Sequence, residues 1–302
     1  MPIITNKLKA NIITLLINAL GALPISFNQR LGWLLGHLLS VLPLRLCKIT
    51  ATNISHCLSH LNQHQQHLLL KQTLIANCQT FLEFPTFWHQ NPQKLTAMIH
   101  AVHGKSEVDL ALQQNKGLIL LGPHLGAFEL VNVYLSQHFD MVTLYRPPHK
   151  AYLEPLMIKA RERLGTTMMP TNSRGVRALY KALVKDKRVI GILPDQDPGA
   201  SGGEFVPFFG MKTWTMTLVS KLAQKSQAPV YYVYAKRSQQ TGSFEIFFKK
   251  APADIYDQEQ HRSLAAMNKG IEQCVLECPS QYQWPYKRFK RQPEGMPAVY
   301  EW

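Results

Sequence analysis

The residues best suited to chemistry lie in the run Gly122-Pro123-His124-Leu125-Gly126-Ala127-Phe128-Glu129. An imidazole can take a proton from an alcohol on one nitrogen while an acceptor holds the other and fixes the tautomer. Glu129, five residues on, can fold back to His124 in the first turn of a helix and serve as that acceptor. Spacing alone does not single out this pair, because His149 and Glu154 repeat it. The surroundings do. Residues 118–121 (LILL), between Gly117 and Gly122, read as a short buried strand, and 128–137 reads as a helix. A histidine in a strand-to-helix turn sits at the carboxyl edge of a sheet, where α/β proteins collect their sites. Two readings stay open at this level: His124 is a general base, or it only caps the helix.

Other segments end strands and so belong to the same rim. Tyr145-Arg146-Pro147 closes a strand at 141–145, and Arg161 and Arg163 end the helix 153–164 that follows. Pro194-Asp195-Gln196-Asp197-Pro198-Gly199 closes a strand at 189–193. Arginines facing a cleft bind phosphate or carboxylate through two parallel hydrogen bonds. Phe205, Phe208, Phe209, Trp214 and Met216 form an apolar stripe that either lines a channel for an acyl chain or packs as core. No Walker loop appears, and no Gly-x-Gly-x-x-Gly follows a strand. No serine nucleophile on a strand-to-helix elbow is recognised either, so direct attack by a substrate hydroxyl is the expected chemistry.

The elements that position these residues follow an α/β pattern. Strand signals at 118–121, 141–145, 189–193, 228–234 and 244–248 alternate with helical runs at 128–137, 153–164 and 176–184. That order predicts a mainly parallel or mixed central sheet flanked by helices. Residues 51–88 read as helical and rich in Gln, His and Asn, with His56, His60, His64 and His67 at helical spacing. A solvated polar face explains them better than a metal site, since no acid lies nearby. Cys47, Cys57, Cys78, Cys274 and Cys278 form no regular framework and read as free thiols. No metal and no cofactor is expected.

The N-terminal region points to a membrane surface. The chain of 302 residues carries a net charge of +14, a field that attracts polyanions. No Asp or Glu precedes Glu83, although Lys7, Lys9, Arg30, Arg45, Lys48 and Lys71 do. Residues 11–25 are apolar but short of the roughly 20 needed to cross a bilayer. Leu31, Leu34, Leu35, Leu38, Leu39 and Leu42 then recur at helical spacing up to Pro43. Two apolar helices with basic ends would lie in the interface. Burial against the domain, and a signal peptide or true span, are the competing readings. The expected division is 1–50 as membrane-anchoring helices and 51–302 as the α/β domain. The run 281–291 (QYQWPYKRFKR) interleaves aromatic and basic residues, which suits a headgroup interface or, less well, stacked nucleic acid.

Taken together, four blocks in order resemble the lipid A biosynthesis acyltransferase family, which belongs with the lysophospholipid acyltransferases: GPHLGAFE, LYRP, LPDQDPGASGGEFVPFFG and PSQYQWPYKRFKRQPEG. The likeness covers about residues 31 to 295; the first block is shared with glycerolipid acyltransferases, and the third and fourth are more specific. The resemblance implies a glycerolipid-acyltransferase-like fold. It implies His124 and Glu129 as the catalytic base and its partner, and Arg161 as part of the site. Arg146, Asp195 and Gly126 occupy matching motif positions and are expected at the substrate. It further implies acyl carrier protein as acyl donor, with coenzyme A as the variant, and a lipid A precursor as acceptor. The expected location is the cytoplasmic face of the inner membrane, among its lipids, with no nucleic acid partner. Many members carry a second histidine where this chain has Gln196. Transfer to another phosphoglycolipid or glycerolipid, and a non-catalytic basic binding protein, are the alternatives.

Overall fold

A computed structural model describes residues 2–148 and 150–300. Helices α1 (Pro2–Ala22), α2 (Ile25–Val41), α3 (Arg45–Cys57), α4 (Gln63–His89) and the short α5 (Pro92–Thr96) come first. An alternating region follows, with β1 (Ile99–His103), α6 (Lys105–Leu112), β2 (Leu118–Leu121), α7 (Phe128–His138), β3 (Met141–Tyr145), α8 (Glu154–Glu162), β4 (Thr167–Pro170), α9 (Ser173–Val184) and β5 (Val189–Ile192). The hairpin β6 (Gly203–Phe208)–β7 (Met211–Met216), α10 (Leu218–Ser226), β8 (Val230–Arg237), β9 (Phe244–Lys250) and α11 (Gln260–Glu277) complete the order.

Seven strands form one sheet in the order β1-β9-β8-β2-β5-β3-β4. Strands β8, β2, β5, β3 and β4 run parallel, whereas β9 is antiparallel to β8 and β1 follows β9. Every residue of β2, β3 and β5 is buried, as central strands covered on both faces require. Alternate side chains feed two apolar clusters. Ile119, Leu121, Ile190 and Ile192 pack with α9, α10 and α11 on one face. Leu118, Leu120, Met141 and Val189 pack with α6 and α7 on the other. The mixed α/β architecture is therefore the expected one. Strands β1, β4, β6 and β7 are not among those expected from the sequence.

The N-terminal helices pack in an unusual sense. On α2 the buried positions are Ile25, Asn28, Gln29, Gly32 and Gly36. Leu34, Leu35, Leu38 and Val41 are exposed instead, as are Leu8, Ile12, Leu15 and Leu16 of α1. The cause is a close helix crossing. A Cβ on Gly36 would lie 2.3 Å from the Ile75 Cα, and one on Gly32 2.7 Å from the Gln79 Cα. The backbones of α2 and α4 thus meet through the glycine stripe, and the leucines turn away from the protein. Asn28 Nδ2 fastens the crossing by donating to Leu20 O and Thr86 Oγ1, each at 2.9 Å. Helices α1 and α2 are bent by 114° at the break around Pro24, and no single helix among the described residues is long and apolar enough to cross a membrane.

The stretch 51–88 is not continuous. α3 ends at Cys57, and Asn62 restarts the chain with a capping box closed by Gln65. His56, His60, His64 and His67 are all exposed, on two helices and the break between them. The expected division at residues 50 and 51 falls inside α3.

Candidate active site

Strand register brings the key pair together. β2 and β5 are parallel neighbours with Leu121 opposite Ile192. His124 and Asp195 each lie three residues past those ends, so both leave the sheet at one point. Asp195 Oδ1 accepts from His124 Nδ1 at 2.7 Å, and Oδ2 accepts from the His124 backbone N–H at 2.9 Å. An ionised carboxylate only accepts, so Nδ1 carries the hydrogen and Nε2 keeps a lone pair. That lone pair faces Gln196, whose Nε2 lies 3.2 Å away and also donates to Gln283 Oε1 at 3.0 Å. Asp195 is buried, which by itself would raise its pKa. The positive charge of the His124 ring when it holds a proton, the two hydrogen bonds from that residue and the Arg288 guanidinium hold it below the ordinary 3.8.

Glu129 therefore does not do what its spacing suggested. It makes no hydrogen bond to His124, and the acceptor on the imidazole is Asp195. The Glu129 carboxylate, buried at the start of α7, faces α8 and α4 instead. Arg161 holds it in a two-point ion pair, with Nε donating at 3.2 Å to Oε2 and Nη2 donating to Oε1. Trp88 Nε1 donates to Oε2 at 3.0 Å. Burial would raise the Glu129 pKa, but the Arg161 charge and these donors depress it below 4.5.

The remaining expected residues divide. Arg146, just past β3, donates to Asp197 O at 3.1 Å and lines the same cavity as His124 and Arg161. Gly126 does not line it. Its φ of +62° and a space in which a Cβ would meet Ala235 O at 2.0 Å explain the glycine, and its N–H donates to Gln281 O at 3.0 Å. That donor is spent on the segment after α11, and the close approach to β8 accounts for the glycine. Arg163 bonds the carbonyls of Phe87 and Gln90, away from the cleft. His149, the other half of the repeated spacing, lies outside the described residues, and Glu154 accepts from Tyr145 Oη at 2.7 Å.

Sequence reasoning passed over several features. Gly199-Ala200-Ser201-Gly202-Gly203 has the spacing of a nucleophile elbow, but it forms a loop leading into β6 with Ser201 exposed, not a strand-to-helix turn. The 281–291 run is packed against the protein rather than a surface patch: Tyr282, Trp284, Arg288 and Phe289 are buried and only Lys290 is exposed. Arg288 donates to Trp214 O at 2.7 Å and adds positive charge behind Asp195. Burial lowers its own pKa. Arg291 and Lys290 reach Asp197 at 2.8 and 3.1 Å, which ties the C-terminal block to the loop carrying the site. Of the apolar stripe, Phe208 and Phe209 pack in the core while Met216 lines the cavity.

The cavity measures about 630 Å³ and is walled by Phe84, Trp88, Phe128, Leu144, Met157 and Leu218 beside the polar groups already named. A smaller recess of about 60 Å³ lies behind Glu129 and Arg161, lined by Leu120, Leu135, Met141 and Met168. An apolar chamber with an oriented base and two arginines can bind a chain that ends in an acyl group and activate a hydroxyl beside it.

A family description for bacterial lipid A biosynthesis acyltransferases matches residues 5–291. A lipid A biosynthesis acyltransferase of Haemophilus influenzae is 27% identical over 275 residues, covering 89% of this chain and 85% of that protein. The lipid A biosynthesis lauroyltransferase of Escherichia coli is 25% identical, covering 92% of this chain and 90% of that protein. The palmitoleoyltransferase of the same bacterium is 29% identical over 66% of this chain and 64% of its own length.

Proposed function

Since the chain belongs to the bacterial lipid A biosynthesis acyltransferase family and is a transferase of that pathway, we propose that it moves a fatty acyl chain from an acyl carrier protein thioester directly onto a hydroxyl of a lipid A precursor, with His124 as general base. The observation that carries this reading is His124, held by Asp195, in the wall of an apolar cavity. His124 Nε2 takes the proton of the acceptor hydroxyl while Asp195 stabilises the imidazolium through Nδ1. The alkoxide oxygen forms a bond to the thioester carbonyl carbon. Collapse of the tetrahedral adduct breaks the carbon–sulfur bond, and His124 returns the proton to the departing thiolate. Glu129 acts one step removed, by holding the Arg161 guanidinium in place. Arg161 and Arg146 bind the phosphate of the acceptor or of the donor's phosphopantetheine arm. The acyl tail lies along the cavity wall toward Met141 and Met168.

The same reading places the enzyme at the cytoplasmic face of the inner membrane. Exposed leucines on α1 and α2 offer lipid an apolar surface, and the acid-free first 82 residues favour anionic lipid. A mass-spectrometric transfer assay on detergent-solubilised protein tests the proposal, offering a lipid A precursor with either acyl carrier protein or coenzyme A thioesters. A mass gain of one acyl chain, faster from the carrier protein, is the expected result. Acylation of a glycerolipid but not of the precursor would refute the acceptor assignment.

A further inference from the structure

A second cavity, of about 500 Å³, lies between α2, α4 and the β8–β9 hairpin and shares no lining residue with the catalytic one. Nothing derived so far explains it. Its lining is polar and contains no carboxylate: Arg30 and Lys236 supply charge, and Gln72, Gln79, Gln239 and Ser280 supply neutral hydrogen-bonding groups. Arg30, Gln72, Lys236, Gln239 and Ser280 have no side-chain hydrogen bond or ion pair among the described residues, so their capacity is available to a ligand. The floor is already satisfied. Arg237 is bound by Glu83 through two hydrogen bonds of 2.7 and 2.6 Å, and Gln29 donates to the same carboxylate at 2.8 Å.

The position of the groove narrows the ligand. Arg30 and Trp33 line it from α2, three residues after Phe27 and one before Leu34, both of which are exposed together with Leu38. On one helix, an outward apolar face therefore adjoins a face carrying a cation, an exposed tryptophan and a hydroxyl- and amide-rich groove. Tryptophan beside cations at the margin of an apolar surface is the arrangement found at headgroup depth. Arg174, Arg177 and Lys181 on α9 are also exposed cations, but among the described residues no large apolar side chain is exposed between Leu110 and Leu276, so that face has charge without a greasy neighbour.

We propose that the groove is a headgroup site for an anionic phospholipid, with Arg30 and Lys236 as its phosphate ligands. It rests on the membrane association proposed above, and it adds a discrete site to what would otherwise be diffuse attraction. Such a site fixes the azimuth of the enzyme on the bilayer, and so the direction in which the catalytic cavity opens.

The test compares wild type with Arg30→Gln/Lys236→Gln, and with Arg174→Gln/Arg177→Gln, which removes equal charge elsewhere. Each is titrated with vesicles of phosphatidylcholine alone or mixed with phosphatidylglycerol, and with dihexanoyl phosphatidylglycerol below its micelle concentration. The groove variant is expected to lose about 30-fold in affinity for the anionic vesicles and to match wild type on the neutral ones. The α9 variant should lose much less, and only wild type and the α9 variant should bind the short-chain lipid. Equal losses in both variants, no loss in the groove variant, or no binding of the short-chain lipid to wild type would each overturn the site. So would an unchanged vesicle affinity with a raised KM for the acceptor. Wild type that ignores both vesicles but binds the short-chain lipid through Arg30 and Lys236 would refute the membrane reading and leave the groove standing.

Discussion

The proposed proton path depends on which nitrogen of His124 carries hydrogen. Asp195 accepts from Nδ1 and leaves the Nε2 lone pair toward Gln196, which lines the cavity. In Asp195→Asn the side chain can present an amide donor to Nδ1, which moves the ring hydrogen to Nε2 and removes the base. We expect kcat to fall by about 10⁴-fold, in line with the effect of the wrong tautomer in other histidine–carboxylate systems, with KM little changed; steady-state kinetics measures both. Glu129 makes a different prediction. Its pKa in the folded protein lies below the ordinary 4.5, so its ion pair stabilises the fold fully above that value and progressively less as pH falls through the lower folded value. Urea unfolding of wild type and Glu129→Gln at pH 7 and downward should show a stability gap that narrows below pH 4.5. A gap constant with pH would contradict this. Both histidine and aspartate were visible in their motifs, but the partnership was not. Reading along one chain favours the acid five residues away, whereas the true neighbour is three residues past an adjacent parallel strand, and pairing order is not written in local sequence. Gly126 was visible too, and its close approach to Ala235 was not.

Among the elements, α2 and α4 depend on a crossing with no room for side chains. Gly36→Leu places a Cβ 2.3 Å from the Ile75 Cα, so the backbones must separate. A cost of about 1–3 kcal/mol is expected, read as a lower melting temperature and faster proteolysis within α1 and α2. Glu83 is the first acid in the chain and lies fully buried against Arg237. Glu83→Ala leaves that guanidinium without its counter-charge in the interior and should cost about 3–5 kcal/mol, more than the glycine change, in denaturant titrations. The leucine periodicity of α2 was legible as a helix, yet periodicity does not say which way a helix faces. Here the glycines and amides turn inward and the leucines outward, because only small residues permit the close crossing. The break after Cys57 was hidden by a continuous polar-helical pattern, although Asn62 and Gln65 were present as its capping box.

For the whole molecule, alternation of strand and helix signals sufficed to identify the α/β class. The reversed edge pair β1 and β9 left no local trace, since direction within a sheet is decided by packing. The aromatic–basic C-terminal run was misplaced for a related reason: Tyr282, Trp284 and Phe289 close the core, and Arg288 is buried behind Asp195, which composition alone does not reveal. If the exposed leucines meet lipid, Leu34→Gln/Leu38→Gln should leave thermal stability nearly unchanged, as surface changes do. It should also weaken binding to vesicles severalfold in a co-sedimentation assay. Retained vesicle binding would remove α2 from the membrane surface. The proposed chemistry rests on His124 as the base for direct transfer. It is tested most directly by measuring turnover of His124→Ala beside wild type, with the acyl carrier protein thioester and the lipid A precursor, after both are shown to melt alike. A fall of at least about 10³-fold in kcat/KM is expected; turnover within tenfold of wild type would contradict His124 as the base.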